Sequence, residues 1–275
     1  MSKIDIDSIG NTREGTFTYD WKSSALYNLG IGAQAEDLEF VYERVKGGMK
    51  VFPSFATIVA GSGLLFPPGT DFVRLLHGEQ MIHLYKPFQP SGTINTKGVI
   101  ENIFDKGKAA LIKTKVSGYS TEGEQIFDAL AGFFVIGQGG FGGDSGPKTV
   151  PLDPPEGVEP DFSISYQTSP NQAAFYRLNG DFNPLHIDPN FARMAGQPKP
   201  ILHGLCTYGI ATRAIVYGLC DGDVSRLKEF SARFKSPVIP GELVVTEGWK
   251  DNGRYIIQVR KEDTVVLGNA YAIVE

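Results

Sequence analysis

Cysteine, histidine and clustered basic residues are all scarce in this 275-residue chain, and each scarcity narrows what it can do. Only two cysteines occur, Cys206 and Cys220. Both fall in one predicted buried helix, where a rise of about 1.5 Å per residue sets them about 21 Å apart, too far for a disulfide. Free buried thiols suit a reducing compartment. No Lys/Arg run is present and the formal net charge is −5, which argues against nucleic acid or a polybasic membrane anchor as partner. No apolar run approaches the roughly 20 residues that span a bilayer, so no membrane partner is expected. The N-terminus lacks a basic-then-apolar signal pattern, and the C-terminal Ala-Ile-Val-Glu is not a peroxisomal address. What is present, 41% hydrophobic and 21% charged residues, is the composition of a soluble globular protein.

Glycine and proline crowd one stretch, residues 137–160, which read GQGGFGGDSGPKTVPLDPPEGVEP. Such chain is flexible or extended rather than part of a core. It divides the sequence into a first unit, 1–138, a linker, 139–160, and a second unit, 161–275. In the second unit Ser169-Pro170 opens a short helix to about Leu178, and Asp188-Pro189 caps another that Gly196 ends. From His203 to Cys220 only Arg213 is charged, which predicts a central helix buried on several sides. Strands are predicted at Leu227–Phe234, Glu242–Asp251, Tyr255–Lys261 and Val265–Val274, with a hairpin turn at Asp251-Asn-Gly253. The first unit echoes this order: a capped helix at Ser23–Leu29, an apolar segment at Phe55–Leu64, and strands at Gln80–Tyr85, Thr93–Asp105, Ala109–Ser117 and Glu124–Gly137. A long helix followed by an antiparallel meander suggests an α+β fold, a sheet wrapped around one helix, used twice.

The four histidines are not spread evenly in meaning. Tyr176-Arg-Leu-Asn-Gly-Asp181-Phe-Asn183-Pro-Leu-His186 sets a carboxylate, a carboxamide and an imidazole within six residues, between Gly180 and Pro184. Asp and His are the side chains most used to move protons near neutral pH, and Pro184 pushes Asn183 toward extended backbone and a chain reversal. Burial beside Phe182 and Leu185 would raise the Asp181 pKa toward that of an acid–base group. Asn183 can orient either partner without titrating. Pro200-Ile-Leu-His203-Gly204 opens the long helix, where free N–H groups and the positive dipole end favour an oxyanion. Together these residues fit proton chemistry beside a carbonyl.

Other readings of the same residues stay open at this level. Asp-x-Asn-Pro also forms an Asx-turn with no chemistry, and His203 serves equally as a cap or core residue. Asp181, His186, Asp188 and His203 invite a metal, although Pro189 favours a helix cap for Asp188. The Gly30/Gly32, Gly61/Gly63 and Gly139–Gly143 patterns do not follow a strand into a helix, so a nucleotide loop is not expected. His83 reads as structural, and His77-Gly78 as a turn able to touch a ligand.

The segment Tyr176–His186 resembles the signature of the type 2 enoyl-CoA hydratases of the MaoC-like hot-dog superfamily. Ala25-Leu-Tyr-Asn-Leu-Gly30, Asp37-Leu-Glu-Phe-Val-Tyr42, Phe52-Pro-Ser-Phe, His77-Gly-Glu-Gln, Pro200–Cys206 and Ala232-Arg-Phe234 extend the likeness over nearly the whole chain, toward the hydratase unit of the eukaryotic peroxisomal multifunctional enzyme type 2. The resemblance implies two fused hot-dog units, each a curved antiparallel sheet around a long central helix, with the catalysts in the second and room for the acyl chain in the first. It implies reversible hydration of a trans-2-enoyl-CoA to the (3R)-3-hydroxyacyl-CoA in peroxisomal β-oxidation, with no cofactor and no metal, the CoA being part of the substrate. Asp181 and His186 would be the acid–base pair, Asn183 their support, the Gly204 amide the oxyanion donor, and His77, Gly78, Lys106 and Phe234 acyl-CoA contacts. A homodimer and membership of a longer multifunctional polypeptide are implied too. Within the fold, thioester hydrolysis and non-catalytic acyl-CoA binding are the competing expectations.

Overall fold

Ten extended segments, some with alternating burial and others, such as residues 244–249, buried without a break, build one antiparallel sheet, seen in a computed structural model that describes residues 3–275. The first two residues of the predicted first unit lie outside the described residues. In chain order the elements are β1 (Thr12–Tyr19), α1 (Trp21–Gly30), α2 (Leu38–Val41), α3 (Ala56–Ala60), β2 (Leu75–Leu84), β3 (Gly92–Asp105), β4 (Ala109–Tyr119) and β5 (Gln125–Ile136) in the first half. The second half contributes β6 (Phe162–Gln167), α4 (Gln172–Tyr176), α5 (Pro189–Met194), α6 (Gly204–Leu219), β7 (Leu227–Phe234), β8 (Leu243–Asp251), β9 (Arg254–Lys261) and β10 (Thr264–Val274). The sheet runs β1-β3-β4-β5-β2-β7-β10-β9-β8-β6. Each half therefore uses the same order, its first strand at the outer edge and its second at the middle. The halves join where β2 pairs antiparallel with β7, from Glu79 opposite Arg233 to His83 opposite Glu229.

That seam is tied by side chains as well as backbone. Glu79 accepts from Lys113 at 2.5 Å and Arg233 at 3.0 Å, and Glu229 from the His83 ring at 2.9 Å and the Tyr271 hydroxyl at 2.5 Å. One apolar cluster fills the concave side across both halves, including Tyr27, Phe52, Phe55, Phe127, Tyr208, Ile215 and Phe230, all at most 1% exposed. Cys206 and Cys220 are buried and free, as their spacing predicts.

The two central helices differ in length. α6 runs sixteen residues with ten of them buried, whereas the apolar Phe55–Leu64 segment forms only the five-residue α3 after a 3-10 turn. The helix ends at its C-cap Gly61, and the chain beyond lies so close to the sheet that a Cβ on Gly63 would meet Thr96 Oγ1 at 2.9 Å.

The Gly- and Pro-rich connector has no regular secondary structure, yet it is fastened along its length rather than loose. The Asp105 carboxylate accepts from the N–H groups of Gly107, Gly140 and Gly142 at 2.7–2.8 Å, which holds its pKa below the usual range. The Lys106 ammonium binds the Ser145 carbonyl. Farther on, Arg233 donates to Thr149 Oγ1 at 2.6 Å, Asn269 Oδ1 accepts from the Leu152 N–H at 3.0 Å, and the Trp249 indole donates to the Val158 carbonyl at 2.8 Å. The connector thus crosses β7, β10 and β8 before entering the edge strand β6.

Candidate active site

The turn from Asp181 to His186 is built by local hydrogen bonds that its own residues supply. Asn171 holds the N-cap position of α4 without a side-chain capping bond, two residues later than Ser169-Pro170 predicts, and the 3-10 turn Arg177–Asn179 ends at Gly180 with φ of +116°, a conformation that glycine reaches without strain. Asp181 Oδ1 then accepts from the Asn183 N–H at 3.2 Å, and Asn183 Oδ1 from the Leu185 N–H at 3.0 Å. Asn183 sits at φ −53°, ψ 122°, the extended geometry that Pro184 demands. Its side chain braces the turn, not the ring of His186. Phe182 is 60% exposed and faces the Arg177 guanidinium, so it does not supply the burial expected of it around Asp181.

The 3-10 turn Pro184–His186 swings the His186 ring inward, where it is 9% exposed. Its Nδ1 lies 2.8 Å from the Ile201 carbonyl, so this nitrogen carries the hydrogen and donates it, leaving Nε2 as an acceptor. Burial holds the His186 pKa below the ordinary imidazole value, while the Ile201 carbonyl and the Asp181 charge oppose the shift. Beside it, the buried His203 ring stacks at 3.8 Å between centroids, 28° from parallel. His203 Nε2 reaches back to the Asp181 carbonyl at 3.2 Å. Gly204 follows as the first residue of α6, its N–H without an intrahelical acceptor. A Cβ there would stand 3.0 Å from the Phe234 ring.

These groups open onto a cleft of about 710 Å³ between the halves, within the range of ligand pockets. Asp181, Asn183, His186 and Gly204 line it, together with His77, Gly78 and Phe234 from the central strands. The His77 ring packs 4.5 Å from Phe133 and 5.1 Å from Phe234, and its burial pushes the pKa down to about 4. Seven of the eight sequence-predicted residues are thereby brought together. Lys106 is not among them: it sits in the β3–β4 turn, committed to Ser145 and the Phe104 ring. Two cations do line the cleft: Arg233, paired with Glu79 at 3.0 Å, and Lys235, which follows β7 and has no ion-pair partner among the described residues. Only its position just past Ala232-Arg-Phe234 marks it in the sequence. His203's contact with Asp181 spans 22 residues and had no local signal.

Asp181, His186 and His203 bring ligand-type atoms within 4.8 Å of one another, so distance alone allows the metal alternative. Ring geometry opposes it. Imidazole lone pairs lie in the ring plane, and two rings stacked nearly parallel do not converge on one ion. Asp188 is spent as the cap of α5, accepting from the Asn190 N–H at 2.7 Å.

Comparison with known proteins bears on the same elements. Residues 17–137 match the MFE-2 hydratase 2 N-terminal domain family, and residues 152–271 the MaoC like domain family. The chain is 43% identical over 272 residues to the mouse peroxisomal multifunctional enzyme type 2, covering 92% of this chain but 36% of that protein. It is 37% identical over 286 residues to a probable enoyl-CoA hydratase 2 of Dictyostelium discoideum, covering 99% of this chain and 97% of that one. The crystal structure of a MaoC-like dehydratase from Phytophthora capsici superposes with a TM-score of 0.89 at 32% identity, over 99% of this chain and 98% of that one. The chain is an α+β double hot-dog, and that crystal structure shares its architecture over nearly the whole length.

Proposed function

This chain belongs to the hydratase 2 branch of the MaoC-like family, and from that premise we propose that it hydrates trans-2-enoyl-CoA to (3R)-3-hydroxyacyl-CoA. The observation that carries the reading is one cleft lined by a carboxylate, an imidazole with a free Nε2 and an open helix N-terminus. Asp181 and His186 present atoms within 4.8 Å of each other, a gap that one water bridges with two ordinary hydrogen bonds. Neutral His186 takes a proton at Nε2 as the water oxygen bonds to C3, and the imidazolium returns a proton at C2. Asp181 orients the water and stabilises the transient positive charge. The Gly204 N–H at the positive end of α6 stabilises the enolate oxygen of the thioester.

The first half supports a long acyl group, since Leu75, Leu76, Phe133, Phe134 and Ile136 make one wall of the cleft apolar. Lys235 is suited to the phosphates of CoA by its charge. No cofactor has a step in this chemistry. A place in peroxisomal β-oxidation, a homodimer and a setting within a longer multifunctional polypeptide are proposed on the family likeness.

The test is the product. Incubation with a trans-2-enoyl-CoA is expected to yield the 3R alcohol with the thioester intact, and to proceed unchanged with EDTA. Release of free CoA thiol would assign a thioesterase instead, and tight binding without turnover a binding module. The pH profile supplies a second check. His186 works neutral and its pKa is lowered, so its charged form appears only below the ordinary imidazole range. The acid limb of kcat/KM is expected below pH 6.5; a limb above about pH 7 is incompatible with the buried environment of His186.

A further inference from the structure

We propose that His203 is a positioning residue that holds both members of the acid–base pair, one by a hydrogen bond and the other by ring stacking. The proposal rests on the acid–base reading of Asp181 and His186. Its observations are separate from those that define the pair. His203 is 1% exposed and lies at the N-cap of α6, yet its side chain makes no capping bond. Instead Nε2 reaches the main-chain carbonyl of Asp181 at 3.2 Å. A carbonyl only accepts, so Nε2 carries the hydrogen and Nδ1 is left as a bare lone pair. Nδ1 is indeed buried without a partner.

A second proton on this ring would set a buried charge beside His186 and Arg177. Burial first, then those two neighbours, hold the His203 pKa well below the usual imidazole value, against the opposing pull of Asp181. The ring is therefore a neutral strut through the pH range of turnover and moves no proton itself. Its other face-to-face contact fixes the plane of His186 at 3.8 Å, and the Tyr176 ring backs it at 5.0 Å.

The strut answers a mechanical need. Asp181 follows Gly180, where an added Cβ would meet nothing within 4 Å and whose backbone resists few alternatives. The bonds that Asp181 makes within the turn are local, and the anchor of the turn to the segment before α6, His186 Nδ1 to the Ile201 carbonyl at 2.8 Å, holds the imidazole; the reach of His203 to Asp181 is what sets the carboxylate's position relative to α6. Because His203 precedes Gly204, one residue couples the carboxylate, the imidazole and the oxyanion donor in a single rigid unit. Misplacement of about 1 Å at such a site costs on the order of 10²-fold in rate.

Two substitutions separate the two roles. His203→Phe keeps a flat ring against His186 but removes the donor to Asp181; His203→Gln keeps an amide donor near the Nε2 position but removes the ring. With thermal melts confirming folding, His203→Phe is expected to lower kcat about 10–100-fold with KM within about threefold. His203→Gln is expected to recover at least fivefold of that loss. Its His186-dependent pH limb moves upward as water reaches the uncovered ring; the charged or titratable groups facing this pair are Asp181, Arg177 and Tyr176. Equal kcat in the two variants, or activity that falls only in step with thermal stability, overturns the proposal. With four histidines in the chain, imidazole nitrogen NMR reads the tautomers without turnover. The native protein is expected to show His203 as the neutral Nε2–H form, and a His203 that titrates between pH 6 and 8 also overturns it. Should the native chain fail to hydrate any enoyl-CoA, the functional reading falls while the NMR arm still decides the tautomer and contact of His203.

Discussion

Asp181→Asn and His186→Asn are each expected to lower kcat for enoyl-CoA hydration by about 10²–10⁴-fold, the span typical of a lost acid–base group, while the protein stays folded. Both replacements are chosen from the hydrogen bonds in the turn. Asn at 181 retains a side-chain oxygen to accept from the Asn183 N–H but carries no charge to orient water or offset an imidazolium. Asn at 186 sets an amide N–H near the Nδ1 position, so the bond to the Ile201 carbonyl survives while the Nε2 acceptor is gone. Residues that serve one transition state are not additive. The double variant is therefore expected within about tenfold of the slower single variant. Steady-state assays with crotonyl-CoA and a longer enoyl-CoA, beside circular dichroism, measure this. Near-native turnover in either single variant rejects the pair as the catalysts.

How much of this was legible beforehand depends on the range of the signal. Strands with one face in the core announce themselves by alternation, and β7 begins and ends where the pattern predicts, Leu227–Phe234. The two strands that were not predicted, β1 and β6, are the edges of the sheet. Of the eight residues in β1 only Tyr19 is buried, so Thr12-Arg-Glu-Gly-Thr-Phe-Thr reads as polar chain. Asp181 and His186 were visible because six residues and two turn-formers carry the motif. His203's grip on Asp181 was not, because a contact across 22 residues is decided by how α6 meets the turn. Lys106 shows the converse: a lysine of suitable charge is engaged elsewhere by a connector whose path composition does not reveal. The shortened α3 belongs with these cases, since an apolar run of ten says nothing of the backbone it must lie against.

Gly98→Ala is expected to cost on the order of 3 kcal/mol, at the upper end of overpacking changes, although it adds only one methyl group, at a buried position of β3. A Cβ at 98 would lie 2.0 Å from the Gly63 carbonyl oxygen, and one at Gly15 would lie 2.2 Å from that of Ser62. Both obstacles are backbone, so no side-chain rotation relieves them. The chain after α3 rests directly on β1 and β3, held by Arg13 to the Leu64 carbonyl at 3.0 Å and by Ser62 to the Thr96 hydroxyl at 2.9 Å. This explains Gly15, Gly63 and Gly98 without any ligand: they let the segment after α3 lie directly against the strands. Lifting that segment also disturbs α3, and through Phe55 the core shared by both halves. Thermal unfolding should show a midpoint lowered by roughly 5–10 °C. Gly123→Ala serves as the control, because its φ of +86° is strained but a Cβ there meets nothing within 4 Å; its cost should stay near 1 kcal/mol. Equal midpoints for the two variants would mean that φ strain, and not the backbone contact, governs the glycines of the first half.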